Sequence, residues 1–232
     1  MHPPRWAVGA LISCVGAVAC SGDGDVGDRS PTPVPTGAAI QLPEPRTEGD
    51  LSVEEAIALR RSVRAFTGEA LTLEELSQLL WAAQGVTATW GGRTAPSAGA
   101  LYPLEVYAAT PDGLLHYLPE GHRARTAATA DLRAELSEAA GGQAAVADAA
   151  VVLVITAVPA RTEARYGERA ERYVQLEAGH VAQNVLLEAV ALGLGGVPIG
   201  AFSDEDVGRV LALASGEVPM YLLPVGHPAE DG

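Results

Sequence analysis

The 232 residues suffice for one large domain or two small ones with a substantial core, and their 48% hydrophobic content excludes both a mini-protein scaffold and a wholly disordered chain. Acidic residues outnumber basic ones 29 to 15, a formal charge of -14, so a polyphosphate backbone is repelled on average and no nucleic-acid partner is expected. All 15 basic residues are arginine, which excludes Schiff-base and lysine-base chemistry.

The N-terminus reads as a targeting segment. Met1 to Arg5 carries a positive charge, and Trp6 to Val18 is an almost uninterrupted apolar run. That run is shorter than the about 20 residues a spanning helix needs, so residues 1–19 are expected to be a secretory signal peptide. Ala17-Val18-Ala19-Cys20 resembles a bacterial lipobox, which makes Cys20 the expected lipidation site and the protein an exported, membrane-anchored lipoprotein of the cell envelope; Cys14 is the alternative. These are the only two cysteines, so the folded body has no thiol for a disulfide, a zinc site or a nucleophile, and no metal is expected. Residues 20–50, rich in Asp, Gly, Pro, Ser and Thr, are expected to form a disordered tether, and residues 51–232 the domain.

Within that domain, Ser52-Val53-Glu54-Glu55 and Thr72-Leu73-Glu74-Glu75 have the capping-box form, predicting helices to about Arg61 and to Gly85. Leu104–Ala109 and Gly113–Leu118 read as a hairpin around Pro111-Asp112-Gly113. Ala130–Ala140 reads as a helix and Ala150–Val158 as a buried central strand. One long helix is predicted over Ala164–Leu192, then an extended Pro198–Ala201, a helix capped at Ser203, and a last strand over Tyr221–Val225. The fold class is α+β, a central mixed sheet flanked by helices.

Three segments carry candidate chemistry. Arg60-Arg61-Ser62-Val63-Arg64 sets three guanidinium groups around a hydroxyl, a pattern suited to clamping a phosphate or to a solvated basic helix end. The small residues of Arg93-Thr94-Ala95-Pro96-Ser97-Ala98-Gly99 leave backbone amides open to a flat ligand on which Tyr102 can pack. Gly193 to Phe202 again offers open amides but lacks the strand-first context of a dinucleotide fingerprint. Glu177-Ala178-Gly179-His180 places a carboxylate and an imidazole on one helix face, but a di-iron site needs a second copy, which the sequence lacks. That stretch is expected to be an interface helix with His180 hydrogen-bonded.

In this order the three segments resemble the flavin-dependent nitroreductase family, and specifically its SagB-type (azoline oxidase) branch. Arg165-Tyr166-Gly167-Glu168-Arg169, Tyr173 to Asn184, and Leu222 to Pro228 extend the resemblance over essentially Leu51 to Pro228. It implies a nitroreductase-like α/β sandwich, a homodimer, and FMN in two clefts at the subunit interface. By the resemblance, Arg60, Arg61, Ser62 and Arg64 hold the phosphate and ribityl chain, and Gln143 contacts the flavin's polar edge. Pro96, Ser97, Ala98 and Gly99 line the ring from the partner subunit, while Ile199, Gly200 and Ala201 lie by N5 with an amide donor. Two departures stand out: the chain ends Ala229-Glu230-Asp231-Gly232 without the family's basic residues, which His227 would have to replace, and Arg165-Tyr166 stands where azoline oxidases carry a catalytic Lys-Tyr pair. Arginine stays protonated, leaving Tyr166 as the member of that pair able to exchange a proton. The implied activity is FMN-dependent oxidoreduction of a small organic substrate by nitro, quinone or dehydrogenation chemistry; the competing class is a tethered, catalytically degenerate ligand-binding domain of the same fold.

Overall fold

The computed structural model describes residue 37 and residues 39–229, which fall in one unit of the chain. The expected signal peptide, Cys20 and most of the expected tether lie outside the described residues.

Seven strands form one sheet: β1 (Ile40–Gln41), β2 (Leu104–Thr110), β3 (Gly113–Leu118), β4 (Arg123–Ala128), β5 (Val151–Ala157), β6 (Gly195–Gly196) and β7 (Val218–Gly226), in the order β1-β4-β3-β2-β5-β7-β6. Every ladder is antiparallel. The expected mixed character is confined to one isolated parallel bridge, Ser62 to Gly196. β5 is the axis of the sheet because all seven of its residues are buried, so both of its faces need a covering layer.

The two faces follow from the period-2 alternation of strand side chains. Val151, Leu153, Ile155 and Ala157 point with Leu104, Val106, Leu223 and Val225 into one core, closed by helices α2 (Leu73–Gln84) and α6 (Ala170–Ala191). Val152 and Val154 point with Tyr107, Leu114 and Leu222 into the other, closed by α3 (Arg133–Ala139), α4 (Ala144–Asp148) and α7 (Asp204–Val210). The result is a three-layer sandwich of helices, sheet and helices, the α+β architecture expected from the sequence.

Local signals work as their chemistry predicts. Ser52 and Thr72 both form complete capping boxes, with Glu55 and Glu75, at the starts of α1 (Val53–Leu59) and α2. Ser203 accepts from the Asp206 amide to start α7. Thr110 pairs with Gly113 across the two-residue turn of the β2–β3 hairpin, where Gly113 takes a φ of 134°.

Two boundaries differ from expectation. The predicted helix over 164–192 is two helices, α5 (Ala160–Tyr166) and α6, because Gly167 adopts a φ of 54° and ends the first one. Arg165 and Tyr166 therefore sit at a helix end rather than mid-helix. The folded body also begins before residue 51. β1 pairs with β4, Leu42 is 2% exposed in the core, and Arg46 exchanges backbone hydrogen bonds with the Gln78 side chain. The last part of the expected tether is thus packed, held by one leucine and by backbone pairing that composition does not reveal.

Candidate active site

The Arg60–Phe66 segment leaves α1 at Arg60 and runs extended beside β6 and the chain end. Ser62 bridges to Gly196, the Val63 amide donates to the Gly196 carbonyl at 3.1 Å, and Phe66 bridges to Pro228. Gly195 has no side chain because Val63 occupies the space: an added Cβ would lie 2.7 Å from the Val63 Cβ. With Val63 packed inward, Ser62 and Arg64 take the opposite side of the extended chain. Arg61 turns back, its Nη1 donating to the Ala58 and Arg60 carbonyls at the end of α1. Its expected share in phosphate binding is thus diverted toward capping that helix. Among the described residues Arg60 and Arg64 have neither a carboxylate partner nor a side-chain hydrogen bond. His227 stands beside this segment, its carbonyl accepting from the Thr67 amide at 3.0 Å.

A second group forms at Gln143 and Ala201. Gln143 Nε2 donates to the Ala140 carbonyl at 2.9 Å and to the Ala201 carbonyl at 3.2 Å, which leaves Oε1 as its open acceptor. The Ile199 amide donates to the Leu222 carbonyl at 2.8 Å in an isolated bridge to β7, so Ile199 cannot supply the open donor that the resemblance implied. Gly200 and Ala201 are exposed, and their amides meet no acceptor among the described residues. A cavity of about 440 Å³ adjoins Gly200, lined in part by Glu163, Glu171, Gln175 and Met220.

The third group gathers around Pro96–Gly99. Gly99 takes a φ of 64°, and a Cβ there would lie 2.8 Å from the Tyr166 hydroxyl and 2.9 Å from Arg165 Nη1. The Arg165 guanidinium lies 5.5 Å from the centre of the Tyr166 ring, which packs edge-on against Tyr173 at 4.9 Å. Pro96, Ser97 and Ala98 line a cavity of about 230 Å³ with Tyr173, Leu176, Glu177 and His180. The Tyr102 amide donates to Ser97 Oγ at 2.9 Å, fixing that hydroxyl. Tyr102 stacks under Arg93 at 4.4 Å and accepts from the Arg93 amide. Its expected packing against a ligand is replaced by this internal stacking.

Glu177 is the residue of this group whose character the sequence does not disclose. It is 2% exposed, and its Oε1 is buried without a hydrogen-bond partner, as is Gln84 Nε2 nearby. Burial pushes the Glu177 carboxyl up to about 7, against the opposing effects of Ser97, Gln84 and the Arg93 charge. His180, expected to be hydrogen-bonded, is exposed on the same cavity with no side-chain hydrogen bond among the described residues. The Glu-x-x-His spacing did signal a shared face. What the sequence could not show is that the loop at Ser97 closes over the glutamate.

Among the described residues no hydrogen bond or ion pair joins the Gly99 group to the Gln143 group. Also among the described residues, no cluster of three or more His, Cys, Asp or Glu side chains is arranged to hold a metal ion.

An antiparallel seven-stranded sandwich with an arginine-rich extended segment at its edge and open amides at Gly200 and Ala201 defines a recognisable class. Residues 57–227 match the nitroreductase family model, and the chain belongs to the nitroreductase family. A Methanocaldococcus jannaschii protein named as a nitroreductase is 44% identical over 197 residues, spanning 82% of this chain and 97% of that protein. An NADPH-flavin oxidoreductase of Vibrio harveyi is 27% identical over 76% of this chain and 66% of its own length. Among solved structures, one from Ralstonia eutropha JMP134, also named as a nitroreductase, superposes with a TM-score of 0.76 at 35% identity, covering 83% of this chain and 90% of that one. The Vibrio harveyi NADPH:FMN oxidoreductase complexed with NAD+ superposes with a TM-score of 0.59 at 26% identity, covering 77% and 69%.

Proposed function

We propose that the chain is an FMN-dependent oxidoreductase exchanging hydride with a small organic molecule, in nitro, quinone or dehydrogenation chemistry. Bound FMN would supply the two-electron chemistry at its N5, and the protein would bind, orient and exclude water. The observation that carries this reading is the pair Arg60 and Arg64, flanking Ser62 without a carboxylate partner on the segment that resembles the family's phosphate-binding segment. The remaining donor set fits the same group: the open amides of Gly200 and Ala201 suit the ring, and Gln143 Oε1 suits an acceptor role toward a ring N–H. The flavin named for the Vibrio harveyi relative supports the choice of cofactor.

The site is further proposed to be completed in a homodimer, Pro96–Gly99 of one subunit facing the flavin of the other. The exposed apolar pair Val53 and Ile57 on one face of α1, each more than half exposed, supports this arrangement. Placement in the SagB-type branch rests on the run from Arg165 to Asn184, with Arg165 where that branch has lysine. Anchoring through a lipid on Cys20 rests on the lipobox-like Ala17-Val18-Ala19-Cys20.

The test is whether purified protein carries, or takes up, a flavin absorbing between roughly 350 and 500 nm, followed by a screen of electron donors and acceptors. Protein that stays colourless after FMN is supplied contradicts the reading and favours a degenerate ligand-binding domain.

A further inference from the structure

Glu177 has no assigned task in the flavin cradle, yet it occupies an expensive position. A carboxyl 2% exposed, with one oxygen unpaired, costs stability. It lines the cavity formed with Pro96–Ala98, Tyr173 and His180. The charged or titratable groups around Glu177 are Arg93, already bonded to Gln84 and Glu120, and Tyr173 and His180 of its own helix. Of the side chains lining the cavity, Glu177 is the buried acid, and its proton affinity lies near neutrality.

We propose that Glu177 is the proton-exchanging group of this site, giving one proton to, or taking one from, the molecule seated in the cavity against Pro96–Ala98. In the reducing direction bound FMN would supply the two electrons as hydride, while the Glu177 O–H bond breaks and its proton makes the second new bond to hydrogen on the product. The carboxylate left behind recovers its proton from solvent at the mouth of the cavity, where His180 is exposed. The oxidising direction runs through the same bonds in reverse. Ser97 is the positioning residue: its hydroxyl, fixed by the Tyr102 amide, steadies the carboxylate form.

This inference rests on the flavin reading, so its test separates the two. The first readout needs no turnover: carbon-13 NMR of protein labelled at the glutamate carboxyl, titrated with and without FMN. The expected result is one carboxyl titrating near 7, missing from Glu177→Gln and shifted when FMN is added; Ser97→Ala should move its midpoint upward. The second readout is the pH profile of kcat/KM, whose limb near 7 should vanish in Glu177→Gln with a loss of about 10²-fold or more while FMN affinity is kept. A Glu177 carboxyl titrating in the ordinary carboxylate range, or a limb that persists in Glu177→Gln, overturns the proposal. Should Glu177→Gln not fold, Glu177→Asp must keep the limb at a displaced position, and an undisplaced limb overturns the proposal equally. Wild type that binds no FMN defeats the functional reading; wild type that binds FMN without moving the Glu177 resonance defeats only this one.

Discussion

Gly99 and Tyr166 approach so closely that a Cβ on the glycine would lie 2.8 Å from the tyrosine hydroxyl. The glycine also holds a left-handed φ of 64°, so backbone strain and crowding both disfavour a side chain there. Gly99→Ala should destabilise the fold by about 1 kcal/mol from backbone strain. It should also displace Tyr166 and Arg165, whose flexible ends can yield. Thermal denaturation reads the first effect; an unchanged melting temperature would show that the turn relaxes without cost.

Glu177 makes a signed prediction for stability against pH. Its carboxyl binds a proton more tightly in the folded state, at about 7, than in an unfolded chain. The stability it contributes is therefore complete below the unfolded carboxylate range and is lost as pH rises through about 7. Wild type should lose roughly 2–4 kcal/mol between about pH 4 and pH 8 through this group, and Glu177→Gln should lose correspondingly less. Urea unfolding of both proteins at the two ends of that window checks the sign; parallel pH curves would place the carboxyl outside this range.

Leu42 ties the start of the folded body to its core. A chain beginning at residue 51 lacks this 2% exposed leucine, the Pro43 carbonyl that accepts from Ser77 Oγ, and the Arg46–Gln78 bonds. It should be less stable than one beginning at residue 39 by at least the roughly 2 kcal/mol of a buried leucine. Leu42→Ala in the full chain should cost about 2–5 kcal/mol. Equal unfolding midpoints for the two lengths would show that residues 39–50 add nothing to the fold.

The exposed pair Val53 and Ile57, four residues apart on α1, should be covered by a second copy. Sedimentation should give a dimer for the wild type and a monomer for Ile57→Glu, with secondary structure unchanged. A dimer that survives this substitution would move the interface away from α1.

Much of this fold could be read from the sequence, for identifiable reasons. The capping boxes at Ser52 and Thr72, the Pro-Asp-Gly hairpin and the apolar run of β5 are local signals, and each formed its expected element. β4, with sequence Arg-Ala-Arg-Thr-Ala-Ala, lacks strand composition and exists because it pairs with β3 on one side and β1 on the other. Gly167 falls inside a helical apolar pattern, and only its left-handed conformation separates α5 from α6. In the candidate site, the residue types of the arginine segment and the glycine loops were visible. Which amides stay open at Gly200 and Ala201, and which carboxyl the Ser97 loop buries, depend on tertiary pairing.

The phosphate cradle is the central claim, and one titration tests it. If Arg64 meets a dianionic phosphate, Arg64→Ala loses a charge-assisted interaction and FMN should bind about 10- to 150-fold more weakly. Riboflavin, which lacks the phosphate, should bind wild type and Arg64→Ala nearly equally. Fluorescence quenching by both proteins against both flavins yields the four affinities required. Selective loss for FMN is the predicted result; equal weakening of both flavins, or of neither, would contradict a phosphate role for Arg64.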